Sequence, residues 1–189
     1  MMRIITGRAK GIKLETLKGD NTRPTSERAK EAVFSMLQFE LEGREVLDLF
    51  AGSGQMGLEA VSRGAAGATF VDKSKDAAVI IAKNIEKTKL SDSCRLLCSD
   101  VNDFIRAFKG RKKYDIVFID PPYMLHAVAS TLKALLDAEM LKPTSIVVCE
   151  SEEEDVFENA PEICECFETV KLAKYGAAHI RVLAVRKAE

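Results

Sequence analysis

The sequence predicts an α/β protein built on one doubly wound, mostly parallel sheet of seven strands. After residue 44, short β-branched runs alternate with longer amphipathic segments of helical period. Runs such as 116–119 and 146–148 are apolar throughout, which is typical of strands buried on both faces. Strand–helix alternation of this kind indicates right-handed crossovers between parallel strands. The 189 residues are enough for one domain with a sizeable core.

An N-terminal extension precedes the predicted sheet. Residues 3–17 predict a β-hairpin that turns near residues 9–11, and Thr25 or Ser26 is expected to cap a helix that ends near Gln38. We therefore divide the chain into an extension, residues 1–44, and a main domain, residues 45–189.

The elements of the main domain follow in alternating order. The strand candidates are residues 45–50, 68–72, 95–98, 115–120, 145–150, 166–174 and 180–185. The helical candidates are residues 57–63, 76–90, 102–109, 126–139 and a weaker segment near 153–159. Residues 175–179 are too few for a crossover helix, so the last strand is expected to run antiparallel to its neighbours.

Composition excludes several classes of protein. With 28 basic and 29 acidic residues and 47% hydrophobic residues, the chain is neither disordered nor fibrous. No apolar run approaches the ~18 residues of a membrane span, and the N-terminus lacks a secretory pattern, so a cytoplasmic location is expected. The five cysteines form no Cys-x-x-Cys pair, which argues against a metal site, and Cys98 and Cys149 are expected to be buried.

Charge is distributed unevenly along the chain. Residues 1–30 contain eight basic and three acidic side chains, a pattern that fits either a contact with a polyanion or a solvated hairpin. Residues 150–168 contain nine acids and no base, and this stretch is expected to form a solvated surface facing away from any polyanion.

A glycine-rich turn joins the first strand of the main domain to its helix. The spacing Gly52-x-Gly54-x-x-Gly57 matches a dinucleotide-binding turn, in which glycines bring backbone N–H groups close to a ligand. Asp48, just before the turn, would repel a pyrophosphate but suits a cationic amino group. S-adenosylmethionine carries such an ammonium group and no phosphate.

Two further carboxylates follow the next two strands. Asp72 ends the second strand, where it can accept hydrogen bonds from a ribose diol of either cofactor. Asp100 follows the third strand, where it could accept a hydrogen bond from the exocyclic amine of an adenine or could cap the next helix.

The fourth strand ends in Asp120-Pro121-Pro122-Tyr123, at the sheet edge where open α/β folds place ligands. The two prolines lack N–H donors, so carbonyl groups and the Asp120 carboxylate remain as acceptors. Such a cluster suits an exocyclic NH₂ group, whose lone pair becomes available for attack on a sulfonium methyl. Tyr123 offers a flat face to an extruded base.

The combination of Asp48–Gly54 and Phe118–Tyr123 resembles the methyltransferases that modify exocyclic nitrogens of nucleic-acid bases. The whole chain resembles one branch, the bacterial RsmD family, which methylates guanine N2 in 16S ribosomal RNA. Further segments that carry the resemblance are Arg3-Ile4-Ile5-x-Gly7, Thr22–Thr25, Glu31–Phe34, Gly57–Ala60, Ser62–Ala65 and Tyr175-Gly176.

The resemblance implies a Rossmann-like class I methyltransferase fold that uses S-adenosylmethionine, needs no metal and acts on 16S RNA, in a partly assembled small subunit. The implied catalytic residues are Asp120, Pro121, Pro122 and Tyr123. The predicted cofactor-binding residues are Asp48, Phe50, Ala51, Gly52, Ser53, Gly54, Asp72, Lys73, Asp100 and Val101. The implied RNA-binding residues of the extension are Arg8, Lys10, Lys13 and Arg23. We expect a monomer.

Three alternatives stay open on the residues themselves. Asp-Pro-Pro-Tyr alone does not separate guanine N2 from adenine N6 of DNA, because both are exocyclic amines. The glycine spacing favours an NAD-dependent oxidoreductase, which Asp48 and the Asp-Pro-Pro-Tyr motif disfavour. An idle RNA-binding or assembly protein could keep the fold, although the intact acceptor cluster argues against it.

Overall fold

A computed structural model of the chain describes residues 2–17, 24–122, 127–158 and 160–186, without the side chains of residues 24–26. Seven strands form one sheet in the order β3-β2-β1-β4-β5-β7-β6. The strands are β1 Glu45–Leu49, β2 Gly67–Asp72, β3 Cys94–Cys98, β4 Tyr114–Ile119, β5 Leu141–Ser151, β6 Phe167–Tyr175 and β7 Ala178–Val185. Strands β1 to β5 pair in parallel, and β7 runs antiparallel between β5 and β6, which confirms the predicted fold class.

Helices cover both faces of the sheet, as the amphipathic segments predict. They are α1 Pro24–Met36, α2 Gln55–Ser62, α3 Lys75–Thr88, α4 Val101–Phe108, α5 Val128–Asp137 and α6 Pro161–Cys164. Two apolar cores result, one on each face, since β1 and β4 alternate their buried side chains between them. In the described part of the chain, no helix is long and apolar enough to cross a bilayer.

Three local expectations were wrong. The predicted helix near 153–159 is wrong, since its described residues, 153–158, form bends and turns. The Ser151 Oγ and the Asp155 Oδ1 accept hydrogen bonds from the backbone N–H groups of Glu153 and Phe157, which compete with helical pairing. Helix α1 begins at Pro24, so Thr25 and Ser26 lie inside its first turn and do not cap it. The Cys149 side chain is buried as expected, whereas Cys98 is exposed at the end of β3.

The N-terminal hairpin is short and pairs at Arg3 and Lys13. The backbone N–H groups of Ile4 and Leu14 donate to Ile12 and Met2, around a turn at residues 8–11. Strand pairing in the hairpin does not reach residue 17, because the backbone of Glu15 binds the side chain of Asn84 on α3 instead. The Glu15 N–H donates to the Asn84 Oδ1 at 2.8 Å, and the Asn84 Nδ2 donates to the Glu15 carbonyl at 3.0 Å. The same fully buried amide also donates to Ser53 O at 2.9 Å, so it joins the extension to the glycine-rich turn.

A second buried group fixes the start of the extension. The Glu59 carboxylate, on α2, is fully buried and accepts from the backbone N–H groups of Ile5 at 2.7 Å and Thr6 at 3.0 Å. The Arg63 Nε donates to it at 2.7 Å, and the buried Lys30 Nζ from α1 lies 3.7 Å away. This Glu59 cluster therefore holds the hairpin, α1 and α2 together with charge-assisted bonds.

We expect Glu59→Ala to lower the free energy of unfolding by about 3–5 kcal/mol, because it leaves buried donors and the buried Lys30 ammonium without their carboxylate. Urea denaturation measures the loss. Asp137→Ala is the control, since it removes an exposed ion pair with Lys133 and should cost less than about 1 kcal/mol. Equal, small losses in the two variants would contradict the structural role of the Glu59 cluster.

Candidate active site

The turn after β1 lies at the carboxyl edge of the sheet. Phe50, Gly52 and Gly54 all adopt positive φ angles, of 57°, 55° and 74°, and Gly54 is the residue that precedes α2. A side chain at Gly57 would approach the Phe70 ring to 2.4 Å, so this glycine lets α2 pack closely on β2. The three predicted glycines thus serve two purposes, a sharp turn and a close helix–strand contact.

Asp72 joins this turn to the loop after β2. Its Oδ2 accepts from the Gly52 N–H at 2.9 Å, and its Oδ1 accepts from the Ser74 N–H at 2.8 Å. Each carboxylate oxygen can accept a second hydrogen bond, so these contacts orient the group and leave it capacity for a ligand.

A cleft of about 430 Å³ opens beside Asp72, over the carboxyl ends of β1, β2 and β4 and the start of α4. It brings together nine of the predicted residues, Phe50, Gly52, Asp72, Lys73, Asp100, Val101, Asp120, Pro121 and Pro122. Leu17, Ser74 and Ala77 also line it, and no sequence signal pointed to them. Leu17 belongs to the extension, so the two parts of the chain build one cleft.

Four predicted cofactor residues lie behind the cleft lining, namely Asp48, Ala51, Ser53 and Gly54. Asp48 is buried at 3% exposure beneath the turn, where its Oδ2 accepts from the Gly57 N–H at 2.8 Å. Burial, with the nearby Asp72 charge adding to it, raises the pKa of Asp48 to about 7, although the Gly57 hydrogen bond opposes the shift. A direct contact of Asp48 with an ammonium group stays a prediction.

Asp100 has one of the two roles that the sequence suggested as alternatives, the cap of the next helix. Its Oδ1 accepts from the Asn102 N–H at 2.8 Å and so caps α4, and the residue also lines the cleft. A capping carboxylate keeps a second oxygen, which can accept from an amine. Its contact with an adenine remains a prediction.

Asp120 stands where the cleft meets a second, smaller cavity. This base-edge cavity, of about 80 Å³, lies between α1, the start of α2 and the carboxyl ends of β4 and β5. Its lining consists of Ala29, Lys30, Val33, Gln55, Met56, Phe118, Ile119, Asp120, Val148, Glu150 and Ile180. Pro121 is buried and Pro122 is exposed, whereas Tyr123 lies outside the described residues.

Glu150 corrects an expectation. The acidic run of residues 150–168 was expected to face solvent, but its first member is half-buried on β5 and lines the base-edge cavity with Asp120. Counting charge along the chain missed it, because the count joined Glu150, at the end of a predicted strand, to the acids of the loop that follows.

None of the predicted basic residues Arg8, Lys10 and Lys13 is among the residues that line the cleft. Arg8, Lys10 and Lys13 are exposed, and the Arg8 N–H donates to Ser62 O at 2.8 Å, at the end of α2 opposite the glycine-rich turn. The eight residues of α2 span about 12 Å. A larger, open depression of about 990 Å³ lies at this end, lined by Arg8, Arg63 and neighbouring backbone, and holds none of the predicted catalytic residues. Arg23 lies outside the described residues.

Comparison with known proteins decides the family. The family described as conserved hypothetical protein 95, which is the RsmD family, matches residues 2–184. The chain belongs to the RsmD family. This result confirms the resemblance found in the sequence.

RsmD-family relatives are similar over most of their length. The ribosomal RNA small subunit methyltransferase D of Haemophilus influenzae is 34% identical over 81% of this chain and 80% of its own. The protein of that name from Escherichia coli K12 is 35% identical over 85% and 79%, respectively. A putative rRNA methyltransferase of Bacillus subtilis is 33% identical over 81% and 84%.

Solved structures extend the similarity to the whole chain. A putative methyltransferase from Escherichia coli superposes with a TM-score of 0.84 at 30% identity, covering 99% of both chains. A putative methyltransferase complexed with SAH shares the fold at a TM-score of 0.69 and 18% identity, covering 82% of this chain and 49% of its own.

The raised pKa of Asp48 predicts a pH-dependent stability difference. Asp48 binds its proton more tightly in the folded protein than in the unfolded one, so its ionisation lowers the free energy of unfolding. This loss develops as the pH rises from about 3.8 to about 7. Asp48→Asn cannot ionise, and its Oδ1 can still accept from Gly57. The free energy of unfolding of the variant should therefore exceed that of the wild type, and the difference should grow by at most ~1.4 kcal/mol per pH unit in this window.

Urea denaturation from pH 5 to pH 8 measures this gain. The difference between Asp48→Asn and the wild type should grow up to about pH 7 and then level off. Asp92→Asn, on an exposed turn, is the matched control. A difference that stays constant with pH would show that Asp48 is not the responsible group.

Proposed function

We propose that this chain transfers a methyl group from S-adenosylmethionine to the exocyclic N2 of a guanine in 16S ribosomal RNA. The observation that carries the proposal is the position of Asp120, in the wall between the cleft and the base-edge cavity. A group there is within reach of both a cofactor and a base. The names of the relatives, ribosomal RNA small subunit methyltransferase D, support the RNA substrate.

The cleft fits S-adenosylmethionine better than a dinucleotide. Its lining presents the carboxylates of Asp72, Asp100 and Asp120, and Lys73 is the one cationic side chain among the described lining residues. This charge favours a sulfonium cation and disfavours a pyrophosphate. Asp72 would accept from the ribose hydroxyl groups, and Asp100 from the adenine amine. Phe50, Val101 and Ala77 offer apolar surface to the adenine ring.

Asp120 and the prolines act on the amine of the base. When bound, S-adenosylmethionine supplies a methyl group that is electrophilic because it is attached to a sulfonium. The Asp120 carboxylate and the Pro122 carbonyl would accept the two N2 hydrogens, which directs the nitrogen lone pair toward the cleft. As the N–C bond forms and the S–C bond breaks, positive charge grows on N2, and the carboxylate stabilises it. The excess proton then leaves N2 through Asp120 to solvent.

The extension would hold the RNA at a distance from the reacting base. Arg8 lies about one α2 length from the turn, so it suits a phosphate that flanks the target nucleotide. The substrate we propose is 16S RNA in a partly assembled small subunit, and Tyr123 would stack on the extruded guanine.

Asp120 variants test the chemistry. Asp120→Ala should reduce single-turnover methyl transfer by ~10²–10³, because its contact strengthens as N2 becomes cationic. Asp120→Asn keeps an acceptor oxygen without the charge and should retain more activity. Both should still bind S-adenosylmethionine in calorimetry.

The substrate for this test is 16S RNA, naked or partly assembled, from cells that lack the gene, and nucleoside mass spectrometry identifies the product. Asp103→Ala, an exposed change on α4, is the control and should behave as the wild type. Near-normal transfer by Asp120→Ala, or a product methylated on adenine N6 or a ring atom, would refute the proposal.

Charge reversal in the hairpin tests the RNA contact. Lys10→Glu combined with Lys13→Glu should weaken RNA binding and flatten its dependence on salt, because fewer counterions are released from the RNA. Filter binding across a salt series measures the slope, and S-adenosylmethionine affinity should not change. Lys87→Glu with Lys89→Glu, at the end of α3, is a control of equal charge. Equal slopes for the hairpin variant and the wild type would exclude this contact.

A further inference from the structure

Two carboxylates stand side by side in the base-edge cavity. Strands β4 and β5 pair in parallel, and the last pair in register is Ile119 with Cys149. Asp120 directly follows β4, and Glu150 is the next residue of β5. Neighbouring strands lie about 4.8 Å apart, and both residues line the same cavity. The fold therefore places a second acceptor one strand spacing from the group that would hold the reacting amine.

The bases differ in what lies next to their exocyclic amine. In guanine, N2 neighbours the ring N1–H, which is a donor. In adenine and cytosine, the exocyclic amine neighbours a ring nitrogen that is an acceptor. An ionised carboxylate can only accept hydrogen bonds. It therefore binds the N1–H of guanine and repels the ring-nitrogen lone pair of adenine or cytosine.

The rest of the cavity suits the edge of a guanine. Val33, Phe118, Val148 and Ile180 supply apolar walls, which exclude water and strengthen the discrimination between a donor and an acceptor. The amide of Gln55 is a donor in the same lining, as the guanine O6 requires. The volume, about 80 Å³, is close to that of three waters, so it admits the edge of a base rather than a whole purine.

We infer that Glu150 selects guanine by accepting a hydrogen bond from N1–H while Asp120 holds N2. This inference rests on the proposed function and deepens it, because Asp-Pro-Pro-Tyr by itself suits any exocyclic amine. Glu150 is a specificity-determining residue here, and the methyl transfer itself takes place at Asp120.

The test replaces the target guanine by 2-aminopurine, which keeps the N2 amine but has an acceptor at N1. The nucleotide is first mapped with the wild-type enzyme, and a synthetic segment carrying either base is ligated into the 16S transcript. In single-turnover transfer the wild type should prefer guanine by roughly 10- to 100-fold. Glu150→Gln should lower this preference by about tenfold or more, because its amide both accepts and donates. Glu150→Ala should slow transfer to guanine and leave transfer to 2-aminopurine unchanged or faster.

Controls separate the possible failures. Both Glu150 variants should bind S-adenosylmethionine as the wild type does, which shows that they are folded. Glu158→Gln, an exposed member of the same acidic stretch, should keep the wild-type preference. An unchanged preference in folded Glu150→Gln and Glu150→Ala, with N2-methylguanine as the wild-type product, overturns the inference alone. A wild-type product other than N2-methylguanine overturns the proposed function as well.

Discussion

The buried carboxylate of Glu59 is the contact on which the active site depends. It binds the backbone of Ile5 and Thr6 and lies beside Lys30 and Arg63, so the hairpin, α1 and α2 have fixed positions relative to one another. A buried charge without partners is costly, and the extension supplies most of its partners. Since α1 then forms one wall of the base-edge cavity and residue 17 lines the cleft, the extension is part of the site as well as a candidate RNA contact.

The parallel part of the sheet presents a carboxylate on or just after each strand. These residues, in chain order, are Asp48, Asp72, Asp100, Asp120 and Glu150. Such an edge attracts a sulfonium and accepts hydrogen bonds from amines, but it repels phosphate groups. An enzyme that acts on RNA through this edge must hold the backbone elsewhere. Under the proposed function, the exposed cations of the hairpin, which do not line this edge, would meet this requirement.

Local sequence patterns predicted the parts of the site that are set by residues close together in the chain. The glycine-rich turn, the acids after β2 to β4 and the Asp-Pro-Pro segment each follow a recognisable strand, and chain order alone assigns them to one edge. Glu150 was missed although it ends the predicted strand 145–150, because it was counted with the acidic run that follows it in the chain. The burial of Asp48 was missed for a different reason, since it depends on how closely α2 approaches β2 at Gly57.

In the proposed complex, contacts to two groups of one base would also solve a problem of orientation. Asp120 and the Pro122 carbonyl would both hold N2, so the ring could still pivot about this one atom. A second acceptor at N1–H fixes the plane of the base, so the lone pair points to one place in the cleft. The hydrogen bond from N1–H to Glu150 would change little as the methyl arrives, so it would contribute to binding and alignment. The hydrogen bond from N2 to Asp120 would strengthen as positive charge grows on N2. The two proposals together would thus assign selection and catalysis to neighbouring strands of the same sheet.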